Sequence, residues 1–141
     1  MDNEGIDYLL INRLLQYCTP PFNWDGNIVS IRDIKKGIIQ NIKENNEPFP
    51  DLSIERNKKY TKEWHVGRVI YFINNPNKIT PIAMDNECVG QYIVAKPIIM
   101  DGHHRYLASI VAGFKIIPVY YSGRVDLLEY LLGKSNVIPI W

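Results

Sequence analysis

The chain carries almost no excess charge. Lys and Arg total 16 against 15 Asp and Glu, a net of +1, so the broad basic surface with which proteins grip DNA or an anionic membrane is missing. Cysteine is scarce. Cys18 and Cys88 stand far apart, with no Cys-x-x-Cys pair and no Cys/His ligand spacing, which argues against a secreted disulfide scaffold and against structural zinc. No apolar run approaches the ~20 residues that span a bilayer, so no membrane partner is expected. The opening Met1-Asp2-Asn3-Glu4 is acidic where a signal peptide is basic and then apolar, and the expected location is cytoplasmic. Repeats and low-complexity blocks are lacking too. What is present is 141 residues, 46% hydrophobic and 22% charged. That is the makeup of a single globular domain over 1–141, able to bury roughly two-thirds of its unfolded surface.

Periodicity divides the chain. Ile6, Leu9, Leu10 and Leu14 recur at helical spacing, predicting a helix over 5–18 that stops before Thr19-Pro20-Pro21. A short strand over 27–31 follows, then a helix capped by Asp33 and carrying Ile34, Ile38, Ile39 and Ile42. Residues 45–59 read as a long loop, of the kind that is often functional or mobile. Thr61 is a good N-cap for a helix over 62–74 whose Val66, Val69, Ile70 and Ile73 form a core stripe. Strands are expected over 79–84 and 91–100, with a turn over 85–90 between them. A helix over 103–112 ends at Gly113, a strand over 115–121 follows, and a last helix over 125–132 turns Val125, Leu128 and Leu132 inward. The order predicts an α+β fold with a small mixed β-sheet packed by helices.

The chemistry concentrates in Pro97-Ile98-Ile99-Met100-Asp101-Gly102-His103-His104-Arg105-Tyr106-Leu107-Ala108. An apolar strand runs into Asp-Gly, and a helix opens at once with two imidazoles and a guanidinium. The first N–H groups of a helix lack intrahelical partners and carry the positive end of its dipole, so they attract phosphate. Gly102 lets a ligand approach the backbone. Arg105 offers a planar fork for two phosphate oxygens, and His104 is suited either to donate to a third or to carry a proton. Asp101 is suited to hold magnesium, to orient an imidazole or to act as a base. The plainer alternative makes Asp101 an N-cap, Gly102 a turn and the trio a solvated helix start. A metal held by both His103 and His104 is disfavoured, because neighbours on a helix point about 100° apart.

The run Ile-Met-Asp-Gly-His-His-Arg-Tyr-Leu-Ala, with Gly113 and the strand Ile116-Ile117-Pro118-Val119, resembles the ParB/sulfiredoxin fold. Val29-Ser30-Ile31-Arg32-Asp33-Ile34, His65-Val66-Gly67-Arg68-Val69-Ile70-Tyr71-Phe72 and Thr80-Pro81-Ile82-Ala83-Met84-Asp85 are similar to its opening strand, middle helix and following strand. The resemblance covers 27–123, leaving 1–26 as an N-terminal helix and linker and 124–141 as a C-terminal helix and tail. It implies a nucleotide (ATP, ADP or CTP, with Mg2+) whose phosphates are held by Gly102, His104 and Arg105, with further contacts from His65, Gly67 or Arg68.

Sulfiredoxin carries a cysteine nucleophile where this chain has His103, so sulfinic acid repair is disfavoured. Partition ParB proteins add helix-turn-helix and dimerisation segments, for which the 18 residues after Gly123 are too few. The closer likeness is to stand-alone members and to free-serine kinases, which share Asp-Gly-His-His-Arg and transfer a phosphoryl group to a small hydroxyl. That likeness implies an upstream acidic base, Glu63 or Glu55, with Glu63 preferred. Asp101, His103 and Glu63 are thus the catalytic candidates, and Asp101 the metal candidate. The expected function is phosphoryl transfer or nucleotide hydrolysis. The alternatives are a non-catalytic nucleotide switch or a DNA- or protein-binding regulator of phage or plasmid type, and a ParB-like nuclease, which the neutral charge and lack of an acidic triad disfavour.

Overall fold

The first apolar segment of the chain is a strand. In the computed structural model, which describes residues 5–48, 60–89 and 92–140, β1 (Ile6–Leu10) pairs antiparallel with β6 (Ile116–Ser122), Leu9 opposite Ile117. Only one helical turn, α1 (Ile11–Leu14), follows it. The helix expected over 5–18 is therefore corrected. A strand running straight into a helical turn places apolar residues at the same positions as a helix, and pairing with a strand near the other end of the chain decides between the two.

Strand β6 is also parallel to β4 (Ile82–Val89), which pairs antiparallel with β5 (Tyr92–Asp101). The sheet order is β1-β6-β4-β5. β4 continues through positions 85–89, where a turn was expected from their polar residues. Asn86 belongs inside because its Oδ1 accepts from the Tyr121 hydroxyl at 2.6 Å and from the Arg124 N–H at 2.7 Å; Gly90 lies outside the described residues. A separate hairpin joins β2 (Phe22–Trp24) to β3 (Asn27–Val29). The molecule is thus α+β, with a small mixed sheet packed by helices.

Helix α2 (Ile31–Ile39) starts at Ser30, whose Oγ accepts the Asp33 N–H while the Asp33 carboxylate accepts the Ser30 N–H. Asp33 is therefore the reciprocal half of a capping box and not the cap itself. Helix α3 (Lys62–Asn74) has the expected bounds and its Thr61 cap, which accepts from the Trp64 N–H at 3.2 Å. Helix α4 (His103–Ala112) ends at Gly113 in the left-handed region, as expected. Helix α5 (Val125–Leu132) buries Leu127, Tyr130 and Leu131, and leaves Val125 exposed. Its apolar residues surround most of the axis, so packing on β1 rather than periodicity selects the inward face.

Two hydrophobic clusters result. Leu9, Ile82, Met84, Ile117, Leu127 and Tyr106 fill one, between the sheet and its helices. Trp24, Val29, Ile34, Val69, Leu107 and Ala108 fill the other, between the hairpin and the helix trio α2, α3 and α4. Residues 5–26 are accordingly part of the packed structure, supplying a sheet strand and half of a hairpin, and not a helix with a linker. The candidate site lies where the two clusters meet.

Candidate functional site

Asp101 closes β5 and Gly102 is the N-cap of α4, with φ +111° and no side-chain cap on the helix. The Asp101 carboxylate reaches instead to Arg105, its Oδ2 accepting from Nη2 at 3.2 Å. The reading of Asp101 as a simple N-cap is thereby set aside. Gly102 is required twice over. Its φ suits few L side chains, and a Cβ there would stand 2.3 Å from Ile82 Cγ2. The first N–H groups of this ten-residue helix face outward without a side-chain cap, at the positive end of its dipole.

Behind that helix start lies an aromatic stack. His65 Nδ1 and His104 Nε2 are 2.8 Å apart, and the two rings are coplanar to within 5°. The Trp24 indole lies flat over both, at 4.2 Å from His104 and 4.7 Å from His65. Trp64 meets both imidazoles edge-on. His65 is 1% exposed and His104 8%. Burial, with the charges of His65, Arg68, His103 and Arg105 adding to it, holds His104 well below the usual imidazole range, so the ring is neutral near pH 7. His103 packs edge-on against Phe22 at 4.9 Å. Burial lowers its pKa as well, partly countered by Asp101.

In front is a cleft of about 730 Å³. Asp101, Gly102, His103, His104 and Arg105 all line it, so the expected motif converges on one cavity. Arg68 and Lys78 join them across the opening. Arg105 is partly committed: Nη1 donates to the Thr80 carbonyl, the Thr80 hydroxyl and the Pro81 carbonyl at 2.8–3.0 Å. Arg68 lies over the Phe72 ring at 4.5 Å and pairs with no carboxylate among the described residues. Burial first, with the Arg105 charge adding to it, pulls Arg68 below its ordinary value. Three cations and a helix N-terminus thus face a single described carboxylate, Asp101.

Three expected placements are corrected. His65 does not line the cleft; it is buried behind His104 and supports it. Glu63 is exposed and lines a separate shallow groove with Asn45, Thr61 and Trp64. Residues two apart on a helix point about 200° from each other, so Glu63 and the inward His65 cannot serve one site. Gly67 is packed against the backbone: a Cβ there would meet the Lys43 carbonyl oxygen at 2.5 Å. Glu55 lies outside the described residues. Among the described residues no three His, Cys, Asp or Glu side chains are grouped to hold a metal.

Trp24 is the site residue that the sequence reading missed. Its signal was the Asp25-Gly26 pair, a hairpin turn between two short apolar runs. Both residues have positive φ, +55° and +95°, as a type I′ turn requires. Compared with protein-family models, curated proteins and solved structures, the chain matches none.

Proposed function

We propose that this chain binds a nucleotide, ATP, ADP or CTP, through its phosphates in the cleft at the start of α4, as the resemblance to the ParB/sulfiredoxin group implies. One observation carries the reading: Arg68, Lys78, Arg105 and the uncapped helix N-terminus share a cavity with a single carboxylate among the described residues, Asp101. A polyphosphate supplies the negative charge that this arrangement lacks, in the geometry that guanidinium forks and helix N–H groups favour. The aromatic wall of half-buried Phe22 and Tyr71, backed by buried Phe72, offers an apolar side to a base or sugar.

Turnover is the second part of the proposal. Phosphoryl transfer to a small hydroxyl, or to water, needs mostly positioning and charge neutralisation. His103 is the group suited to move a proton, being neutral and on the cleft wall. Magnesium commonly binds through substrate phosphates and one or two carboxylates, and Asp101 is the carboxylate available to it. The second reading, a nucleotide switch without turnover, draws support from Asp101 being engaged with Arg105 and Glu63 lying elsewhere.

Calorimetry and thermal shift with ATP, ADP, CTP and GTP, with and without magnesium, test the binding. A nucleotide should bind the wild type, and Arg68→Ala should weaken it by roughly 10- to 100-fold, the value of one charge-assisted hydrogen bond of about 1.5–3 kcal/mol. Failure of every nucleotide to bind refutes the reading. Phosphate release over hours separates the enzyme from the switch.

A further inference from the structure

Strand β6 reads Ile116-Ile117-Pro118-Val119-Tyr120-Tyr121, an unbroken run of apolar and aromatic residues. A strand with one wet face alternates apolar and polar side chains, whereas an unbroken run is the pattern of a strand covered on both sides. Among the described residues only one side is covered. Ile117 and Val119 are buried with Leu9 and Ile82 in the cluster that takes Tyr106 from α4 and Leu127 and Leu131 from α5. The alternate positions point the other way. There Ile116 is 47% exposed, Tyr120 50%, and Tyr8, which pairs with Pro118 across β1 and β6, 44%. Tyr8 and Tyr120 are diagonal neighbours on this outer face, close enough for their rings to act together.

Size and charge say what fits this face. Four strands about 4.8 Å apart, with the seven residues of β6 rising about 3.4 Å each, make it roughly 19 by 24 Å. Two such faces laid together bury about 900 Å² of flat area before side-chain relief is counted, close to the ~1,000 Å² at which specific interfaces begin. Ile6, Tyr8, Ile116, Pro118 and Tyr120 carry no charge. Asp85 stands only at a corner, beside Ser122 at the end of β6 and opposite Ile98 on β5. Contact with a second copy about a twofold axis presents the same patch from both sides. A charged face opposes that arrangement and an uncharged one permits it. Tyrosine suits it further, since aromatic residues are enriched where protein surfaces meet.

We propose that the outer face of the sheet, centred on Tyr8 and Tyr120, is the surface through which two copies of this chain form a twofold dimer, sheet against sheet. The proposal is independent of the nucleotide reading above. An interface of this size lies at the small end of the specific range, so the dimer is a reversible one that forms and separates with concentration.

The test is sedimentation equilibrium of the whole chain from about 1 μM to about 1 mM, the affinity range of weak, reversible association. Wild type should pass from monomer to dimer within it. Tyr120→Lys sets like charges against one face and should weaken association by about 100-fold or more. Tyr8→Ser, a milder change, should weaken it by about tenfold. Both variants should keep the wild-type circular dichroism, and Tyr8→Ser decides alone if Tyr120→Lys does not fold. Ile138→Ser is the control, in the separate apolar stretch of the C-terminal tail, where Ile138 is exposed; it should leave association unchanged. A chain that stays monomeric throughout overturns the proposal and leaves the face to a different partner. A dimer that both tyrosine variants leave intact, or that Ile138→Ser dissociates, overturns it as well.

Discussion

Replacing Gly102 by alanine probes the tightness of the strand–helix junction on which the site depends. The residue sits at φ +111°, and putting an L side chain in the left-handed region costs roughly 1–2 kcal/mol. The new methyl would also lie 2.3 Å from Ile82 Cγ2 and 2.7 Å from Ile82 Cβ. Ile82 is fully buried at the start of β4, so it cannot step aside. Overpacking of this kind costs about 1–3 kcal/mol, for a total of about 2–5 kcal/mol. That is a large share of the ~5–15 kcal/mol by which domains are ordinarily stable. Gly113 at the other end of the same helix is the control, since it has φ +79° but nothing within 4 Å of the place a methyl would take. Gly113→Ala therefore bears only the dihedral cost, roughly 1–2 kcal/mol. Urea unfolding followed by tryptophan fluorescence measures both variants at a common slope. Gly102→Ala should lie lower by about 1–3 kcal/mol. Equal midpoints would refute the claim that the backbone at the mouth of the cleft is sterically locked.

Other outcomes follow from the same contacts. Ser30→Ala breaks the capping box of α2 and should cost about 0.5–2 kcal/mol by urea titration. The Ser30 N–H holds the Asp33 carboxyl below its usual range, against burial and with help from the Ser30 hydroxyl and Lys62. Its stabilising effect is thus complete above roughly pH 4, the ordinary aspartate value, and fades as pH falls through the lower folded value. Asp33→Asn should flatten that acid limb of a stability–pH profile while leaving its neutral region shallow. Asn86→Leu deprives the Arg124 N–H of its buried acceptor. It should cost about 1–3 kcal/mol in thermal or urea unfolding.

How far the sequence revealed this molecule varied with the range of the interactions involved. Helices α3 and α4 were legible to the residue because their signals are local: Thr61 and Gly113 mark the ends, and Val66, Val69 and Ile70 mark the buried stripe. The Asp-Gly-His-His-Arg run was legible as a shared cavity for the same reason, since a strand end and a helix start fix one another. What failed depended on remote partners. Nothing near Leu9 announces Ile117 as its neighbour. Asn86 looks like a turn residue until Tyr121 and Arg124 occupy its oxygen. His65 and Arg68 were both expected to contact the phosphates, but three positions along α3 separate a buried support from a cleft wall. Trp24 escaped because a three-residue strand gives too little alternation to read, although its Asp-Gly turn was visible.

Helix α4 contributes Tyr106 to one hydrophobic cluster and Leu107 and Ala108 to the other. Beyond the open first turn, its hydrogen-bonded amides should exchange only when both clusters open together. A ligand seated on the N-terminus of that helix would grip an element that both clusters share. Its binding energy is then felt by both clusters together and raises the melting point of the entire chain, instead of quieting a single loop.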